Sequence, residues 1–315
     1  VLFRSCAMFF NDEPVLHTAL KAFKAECKEE ILPDGMHFEL SPMYHKLIFE
    51  GVVRVVVALK DKGLDDCEVN GYLQPMLDVA WSLEEGLDRI PLFNDAGNNV
   101  AKSLQALVSA CKEHFGITPE YKSRFIDSGF YIFKQNDWKL IVDAGQPGPA
   151  YIPGHAHCDA MSFELFKTGK PVIVNCGTYA YQCKERSFFR STAAHNTVMV
   201  NDTEQSQCWG AFRMAKRSKV NVVSVSEKSI VIELMDQRGQ TVKRTIQLEK
   251  TLKVTDESGG NKLTAFVHPI NDIDMTFDGN SETIGQQYAP EYGELVSLEA
   301  VRYEGNGKIS VEICI

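Results

Sequence analysis

Several kinds of segment are missing from this 315-residue chain, and each absence removes a class of function. No apolar run approaches the roughly 20 residues that cross a bilayer. The nearest, Val52 to Leu59, is interrupted by Arg54. No Gly-rich phosphate loop precedes a helix, and neither Gly-x-Ser-x-Gly nor Cys-x-x-Cys occurs. Phosphate cradling, elbow-type serine hydrolysis and dithiol exchange therefore lack their motifs. Positive charge is scarce: 33 Lys and Arg against 42 Asp and Glu leave a net −9. That argues against nucleic acid or an anionic membrane as the main partner, although a local basic cleft can still hold an acidic polymer. Nine cysteines, an odd number without framework spacing, read as free thiols rather than as a disulfide scaffold. The first ten residues lack an initiator Met and a signal-peptide layout. They read like the middle of a helix, so the chain is expected to be part of a longer protein.

What is present divides into two patterns. Up to about residue 118 the period is helical. Asp12 and Ser41 are N-cap signals, each followed by a first-turn Pro and then by apolar residues at spacings of three and four. Two more helices are expected, near Pro75 to Arg89 and Asn98 to Phe115. Short Gly- or Pro-bearing linkers predict antiparallel helical hairpins, as in part of an α/α array. From about Tyr121 the period becomes two. Gly129 to Phe133, Leu140 to Val142, Pro171 to Val174, Thr197 to Val200, Val220 to Val225, Ile230 to Leu234, Val242 to Leu248 and Thr251 to Val254 all read as strands. Turn residues punctuate them, among them Asp236 to Gly239 and Ser258 to Asn261. No helices alternate with these strands, so a large antiparallel β-sandwich is expected to follow the helices.

The segment from Gly154 to Asp202 holds three of the eight histidines. In an extended chain His155, His157 and Asp159 project together, and His195 returning later could complete a metal site or an acid/base centre. Asn175 and Cys176 end an apolar strand and could add a carbonyl oxygen and a thiolate. Tyr179 and Tyr181 could line a sugar site, and Trp209 to Arg213 could offer stacking and charge to an acidic sugar. The helix-to-helix connection Asp34 to His45 places Tyr44 in a first turn, where the helix dipole favours a phenolate. Taken singly, most of these have plain readings. Ser41-Pro42 is a cap, Tyr44 a core residue, His195 a structural histidine, and Lys216, Arg217 and Lys219 a solvated face.

Together the two regions resemble the heparinase II/III family of polysaccharide lyases. The matching stretches are residues 34–45, Ser128 to Phe130 leading to Asp143 to Gly145, residues 154–164, Cys176 to Tyr179, Arg190 to Asp202 and residues 204–213. The resemblance implies an α+β multidomain chain. Residues 1–118 would be the last part of an α/α toroid, and residues 119–315 an antiparallel β-sandwich. It implies β-elimination at a uronic acid, with Tyr44 as acid, or as base too for one epimer, and His155 as partner base. His157 and His195 match zinc ligands. Asn175 stands where the family places an Asp, so the third ligand is a neutral amide, with Cys176 beside it. His37, Glu39, Tyr179, Arg190 and Arg213 fall within or beside the matching stretches as substrate-binding candidates. The family's carboxylate-neutralising Asn would lie upstream of Val1. An acidic polysaccharide substrate and a periplasmic or secreted bacterial location follow from the same resemblance.

Two rival readings stay open. His-x-His on a strand also opens metal-dependent hydrolase sites, which need a (β/α)8 barrel. A non-catalytic carbohydrate-binding or assembly protein with a residual lyase fold would keep the architecture without the chemistry.

Overall fold

A computed structural model describes residues 12–64 and 66–315. The helix expected over the first ten residues lies outside them. Asp12 accepts the amide of Val15 and starts α1 (Glu13–Glu30). Ser41 does the same for Tyr44 at the start of α2 (Pro42–Asp61). A short α3 (Cys67–Asn70) and α4 (Leu73–Glu84) follow. Ser103 then caps α5 (Leu104–Phe115), which ends at Gly116 with φ 70°. Caps act within one turn, which is why the sequence displays them. The last helix starts later than its period suggests because Asn98 serves a loop. Its side chain accepts from Ile90 N and donates to Pro290 O. The apolar stripes of α1, α2, α4 and α5 meet in one cluster that includes Phe49, Val52, Val56, Leu73, Met76 and Leu107.

Fifteen strands follow among the described residues. Strands β1 (Arg124–Phe125), β2 (Phe130–Gln135), β3 (Trp138–Asp143), β4 (Phe163–Lys167) and β5 (Lys170–Ile173) form a sheet in chain order. A short helix, α6 (Arg186–Phe189), precedes β6 (Val198–Val200), and a two-stranded hairpin is made by β7 (Gln207–Trp209) and β8 (Arg213–Ala215). Next come β9 (Lys219–Val225), β10 (Ser229–Met235), β11 (Thr241–Leu248), β12 (Thr251–Val267), β13 (Met275–Asp278), β14 (Asn280–Tyr288) and β15 (Val296–Cys314). They build an eight-stranded sheet in which β13-β15-β12-β11-β10-β9 is the main path, while β14 pairs with β15 and β6 with β12. All pairings between these strands are antiparallel. The described residues therefore offer no (β/α)8 barrel for the hydrolase reading.

Side chains of β3 show how the layers stack. Leu140 and Val142 join the cluster shared with the eight-stranded sheet, while Ile141 faces a second cluster with Met36, Val79, Leu83 and Phe93 of the helical part. The five-stranded sheet thus has helices on one face and strands on the other, and every residue of β3 is buried. Such a strand reads as a continuous apolar run, not as an alternation. One expected turn is corrected. Ser258 to Asn261 lies inside β12 as a bulge, where the register shifts between Glu257 and Lys262. Gly259 (φ 35°) and Gly260 (φ 90°) take the positive φ angles through which the bulge accommodates its extra residues.

Candidate active site

The site lies where the helical part meets the strands. Cap geometry puts Tyr44 in the first turn of α2, half-buried, with its ring against that of His155: centroids are 4.0 Å apart and the planes 34°. The two residues come from opposite sides of residue 118. His155 is held from behind by Asp95, on the loop after Ile90-Pro91. The Asp95 amide donates to His155 O at 3.0 Å, and a carboxylate oxygen meets His155 Nδ1 at 2.8 Å. A carboxylate only accepts, so Nδ1 carries the proton and Nε2 presents its lone pair away from Asp95.

Asp95 organises more than one imidazole. His157 Nε2 reaches its other oxygen at 2.8 Å, Thr178 Oγ1 donates at 3.1 Å, and the Arg186 guanidinium grips both oxygens, the second at 2.7 Å. Burial alone would raise the Asp95 carboxyl, but His157, His155 and Arg186 together hold it well below the usual carboxylate range. Ser41 Oγ, the α2 cap, also donates to Asp95 O at 2.5 Å, so one residue fixes both the helix start and this loop. Thr178 is brought to Asp95 by Gly177 (φ 76°), where a Cβ would stand 2.3 Å from Ala289 O. Only glycine fits there.

Around the Tyr44 phenol the surroundings are aromatic. Its Oη lies 2.7 Å from Tyr181 Oη, and the Tyr181 ring lies 5.3 Å from Phe212, 5.5 Å from Tyr292 and 5.1 Å from the Arg186 guanidinium carbon. Burial raises the Tyr44 phenol, and the Tyr181 hydroxyl opposes it. Glu39 stands 3.9 Å from His155 Nε2 and is itself raised by burial.

Behind this cleft His157, Asp159 and His195 place one donor atom each within 4.8 Å of one another, all buried. His157 Nδ1 and His195 Nε2 are 3.3 Å apart. Two nitrogens on one tetrahedral zinc at about 2.0–2.1 Å stand roughly 3.3–3.4 Å apart, so the spacing fits a shared ion. Burial keeps both rings neutral, His157 down to about 4, as ligands must be. The Asp95–His157 bond is the outer partner that a metal-bound imidazole usually has. Burial also pushes Asp159 up to about 7; one of its oxygens accepts only the Asn94 amide, at 2.7 Å. A buried carboxylate with no cation within 4.0 Å among the described residues matches a missing positive charge. The segment 154–159 is a loop, not a strand; the shared Asp95 contact, and not side-chain alternation, brings His155 and His157 together.

Other expectations fare differently. Asn175 Oδ1 accepts the Asn196 amide at 3.0 Å and its Nδ2 donates to Ser162. Its carbonyl accepts from the backbone beside His195, while Asp159 offers a carboxylate as a third donor to the His157–His195 pair. Cys176 packs with Phe189, Ala194 and Ala289, its thiol pushed up by burial. Arg190 is buried, and its guanidinium donates to Ala156 O, Gly210 O and Arg213 O. It shapes the backbone between His155 and His157 and offers no face to a substrate. His37 is likewise buried, between Glu30 at 3.6 Å and Glu39 at 3.8 Å. Tyr179 packs against the Cys176 cluster. Arg213 is exposed, over the Trp209 ring at 4.9 Å. Asp95, Asn94, Arg186 and Thr178 escaped the sequence reading, because a lone Asp in a loop reads as a turn residue.

Comparison with known proteins adds a second line of argument. The family model described as heparinase II/III-like, C-terminal, matches residues 117–303, and that of the heparinase II/III N-terminus matches residues 9–122. A heparin-sulfate lyase of Pedobacter heparinus is 24% identical over 222 residues, covering 61% of this chain and 33% of that protein. Another, of Bacteroides stercoris, is 34% identical over 221 residues, covering 58% and 31%. The chain thus spans about a third of the length of these curated relatives. Among solved structures, a heparinase III aligns with TM-score 0.81 at 16% identity, covering 99% of this chain and 58% of that one. Heparan sulfate lyase HepC from Pedobacter heparinus aligns with TM-score 0.74 at 16% identity, covering 95% and 56%. Likeness at that identity speaks for the fold.

Proposed function

The chain belongs to the heparinase II/III family, and on that premise we propose that it carries the proton-transfer groups of a polysaccharide lyase cleaving a uronic-acid-containing glycan. On this reading the described residues up to 118 form the end of an α/α toroid and residues 119–315 a β-sandwich domain, in a periplasmic or secreted bacterial enzyme. One observation carries the reading: a phenol from the helical side and an imidazole from the strand side share a cleft with rings 4.0 Å apart.

The reaction requires little more. His155 Nε2, bare because Asp95 fixes the proton on Nδ1, takes the C5 proton of the uronate. Electrons of the broken C5–H bond form the C4=C5 double bond, the C4–O4 bond breaks, and Tyr44 gives its proton to the departing O4. For the opposite C5 epimer Tyr44 serves as base as well as acid. Burial keeps the phenol protonated and able to donate. The uronate carboxylate is neutralised by a group that the resemblance places upstream of Val1. His157, Asp159 and His195 would hold a divalent ion, zinc by resemblance, which would supply a fixed positive charge bracing the loops behind His155. No proton passes through it.

The test is product chemistry. Elimination leaves a double bond conjugated with the carboxyl group, which absorbs in the ultraviolet, whereas hydrolysis leaves none. Removing one positioned acid/base group costs about 10²–10⁴-fold. Tyr44→Phe and His155→Ala should each lose that much in the intact enzyme, with melting temperatures held. A Tyr44→Phe enzyme as fast as its parent would end the proposal.

A further inference from the structure

Phe212 beside His155 belongs to the β7–β8 hairpin, and the chain leaving that hairpin lines a groove of about 810 Å³ that holds Lys216, Arg217 and Lys219 against residues 146–150. Aromatic and basic side chains follow one another along the chain from Trp209 to Lys219. Phe212, 42% exposed, has its ring 6.1 Å from that of His155. Trp209, 51% exposed, lies under the Arg213 guanidinium at 4.9 Å. Lys216 and Lys219 follow, both exposed. Among the described residues none of Arg213, Lys216, Arg217 and Lys219 has a carboxylate within 4.0 Å, and the groove lining contains no Asp or Glu. Lys219 separates it from a neighbouring groove that does hold Glu233 and Glu257. On a chain of net charge −9, an acid-free basic groove contrasts with its background and attracts anions locally.

The groove is also rigid and tied to the cleft. Arg217 Nη1 donates to Pro149 O at 2.8 Å and Pro147 O at 3.3 Å, holding a loop with three prolines. Gly148 (φ 56°) lies so close to Ala156 that an added Cβ would stand 3.1 Å from the Ala156 methyl. This loop runs directly into His155, so its two ends border the groove and the reacting groups.

We infer that the hairpin and groove bind the anionic sugar units beyond the bond that is cut, with Trp209 and Phe212 under sugar faces and Arg213, Lys216 and Lys219 on carboxylates or sulfates. Stacking platforms beside cations suit a charged glycan, since aromatic faces offer apolar contact while Lys and Arg meet the anions. This deepens the lyase reading and rests on it. The occupant is a polymer long enough to reach both the cleft and Lys219.

Equilibrium binding of heparan sulfate to the purified full chain tests it, followed by tryptophan fluorescence across a range of salt concentrations. For the double variant Lys216→Ala/Lys219→Ala the dissociation constant should rise about tenfold near 0.1 M salt, and the slope of log Kd against log salt should fall by up to about two. Trp209→Ala, read by calorimetry, should weaken binding without changing that slope. Unchanged affinity and slope in the double variant, at an unchanged melting temperature, would overturn the inference. Duplex DNA bound as tightly as the glycan, and losing as much in the double variant, would also overturn it, since the groove would then recognise charge alone. Product formation separates the two proposals. With product assayed in the intact enzyme, lysine-dependent binding without unsaturated product speaks against the lyase reading only, whereas product with lysine-independent binding speaks against the groove only.

Discussion

Consider replacing Asp95 with Asn, a change of one atom type at the centre of the site. Arg186 is buried with its guanidinium on both Asp95 oxygens. Guanidinium cannot shed its proton, so in the variant a full charge stays buried beside a neutral amide. Removing one partner of a buried pair costs about 3–5 kcal/mol. Ala211 O at 3.0 Å and the rings of Tyr181 and Phe212 soften the loss. The amide NH2 must also face donors, either His155 Nδ1 and Arg186 or His157 Nε2, Thr178 Oγ1 and Arg186. These opposing effects leave about 3 kcal/mol, or roughly 4–5 °C of melting temperature in a chain this size. Arg186→Met should cost less, about 2 kcal/mol, because Asp95 keeps its bonds to His155, His157 and Thr178. The double variant should cost less than the sum by about 1–2 kcal/mol. Thermal and urea melts of the four proteins measure all of this. Additive losses, or Arg186→Met as the costlier single change, would refute the claim that the two charges hold each other in place.

Two further outcomes follow from other buried groups. His45 Nδ1 accepts the His37 amide at 3.2 Å and its Nε2 donates to Met76 O at 2.9 Å, which fixes a neutral ring that burial holds down to about 3. Its unfolded value is near 6.5, so between those limits the unfolded chain binds the extra proton. Stability is then full above pH 6.5 and falls as pH drops toward 3, by about 3–5 kcal/mol in all. Urea midpoints from pH 7 to 4 should fall less steeply for His45→Gln than for the parent, and equal slopes would count against this ring. For the metal, elemental analysis should find one zinc per chain, and chelation should lower the melting temperature by several degrees. Asp159→Ala should empty the site while Asn175→Ala keeps it, and the reverse result would restore Asn175 as a ligand.

Local signals were legible where local physics decides the outcome. The caps Asp12, Ser41 and Ser103 satisfy amides three residues away, and each helix starts beside them. Tyr44 and His155 stood out through the resemblance, and His157 and His195 through both residue type and resemblance. Asp95 could not be found this way, since its partners lie 60–91 positions further along the chain. Arg190 reads as an anion binder because Arg on a surface usually is one. Four contacts to backbone carbonyls, visible only in the fold, turn it inward. Ser258 to Asn261 has turn composition, but glycine serves a bulge as well as a reversal. Lys216 and Lys219 read as a solvated face until the loop 146–150 is seen closing a wall opposite them.

The origin of Asp95 has a consequence for how such proteins can be recombined. The anion is encoded before residue 118, and every group it orients is encoded after it. A nascent chain that has emerged as far as residue 150 owns the anchor and none of its cargo. A graft of residues 119–315 onto a foreign helical scaffold would deliver Arg186 to a dry pocket where no counterion waits. Recombination between relatives must therefore carry both stretches together, or supply a substitute carboxylate on the incoming loop.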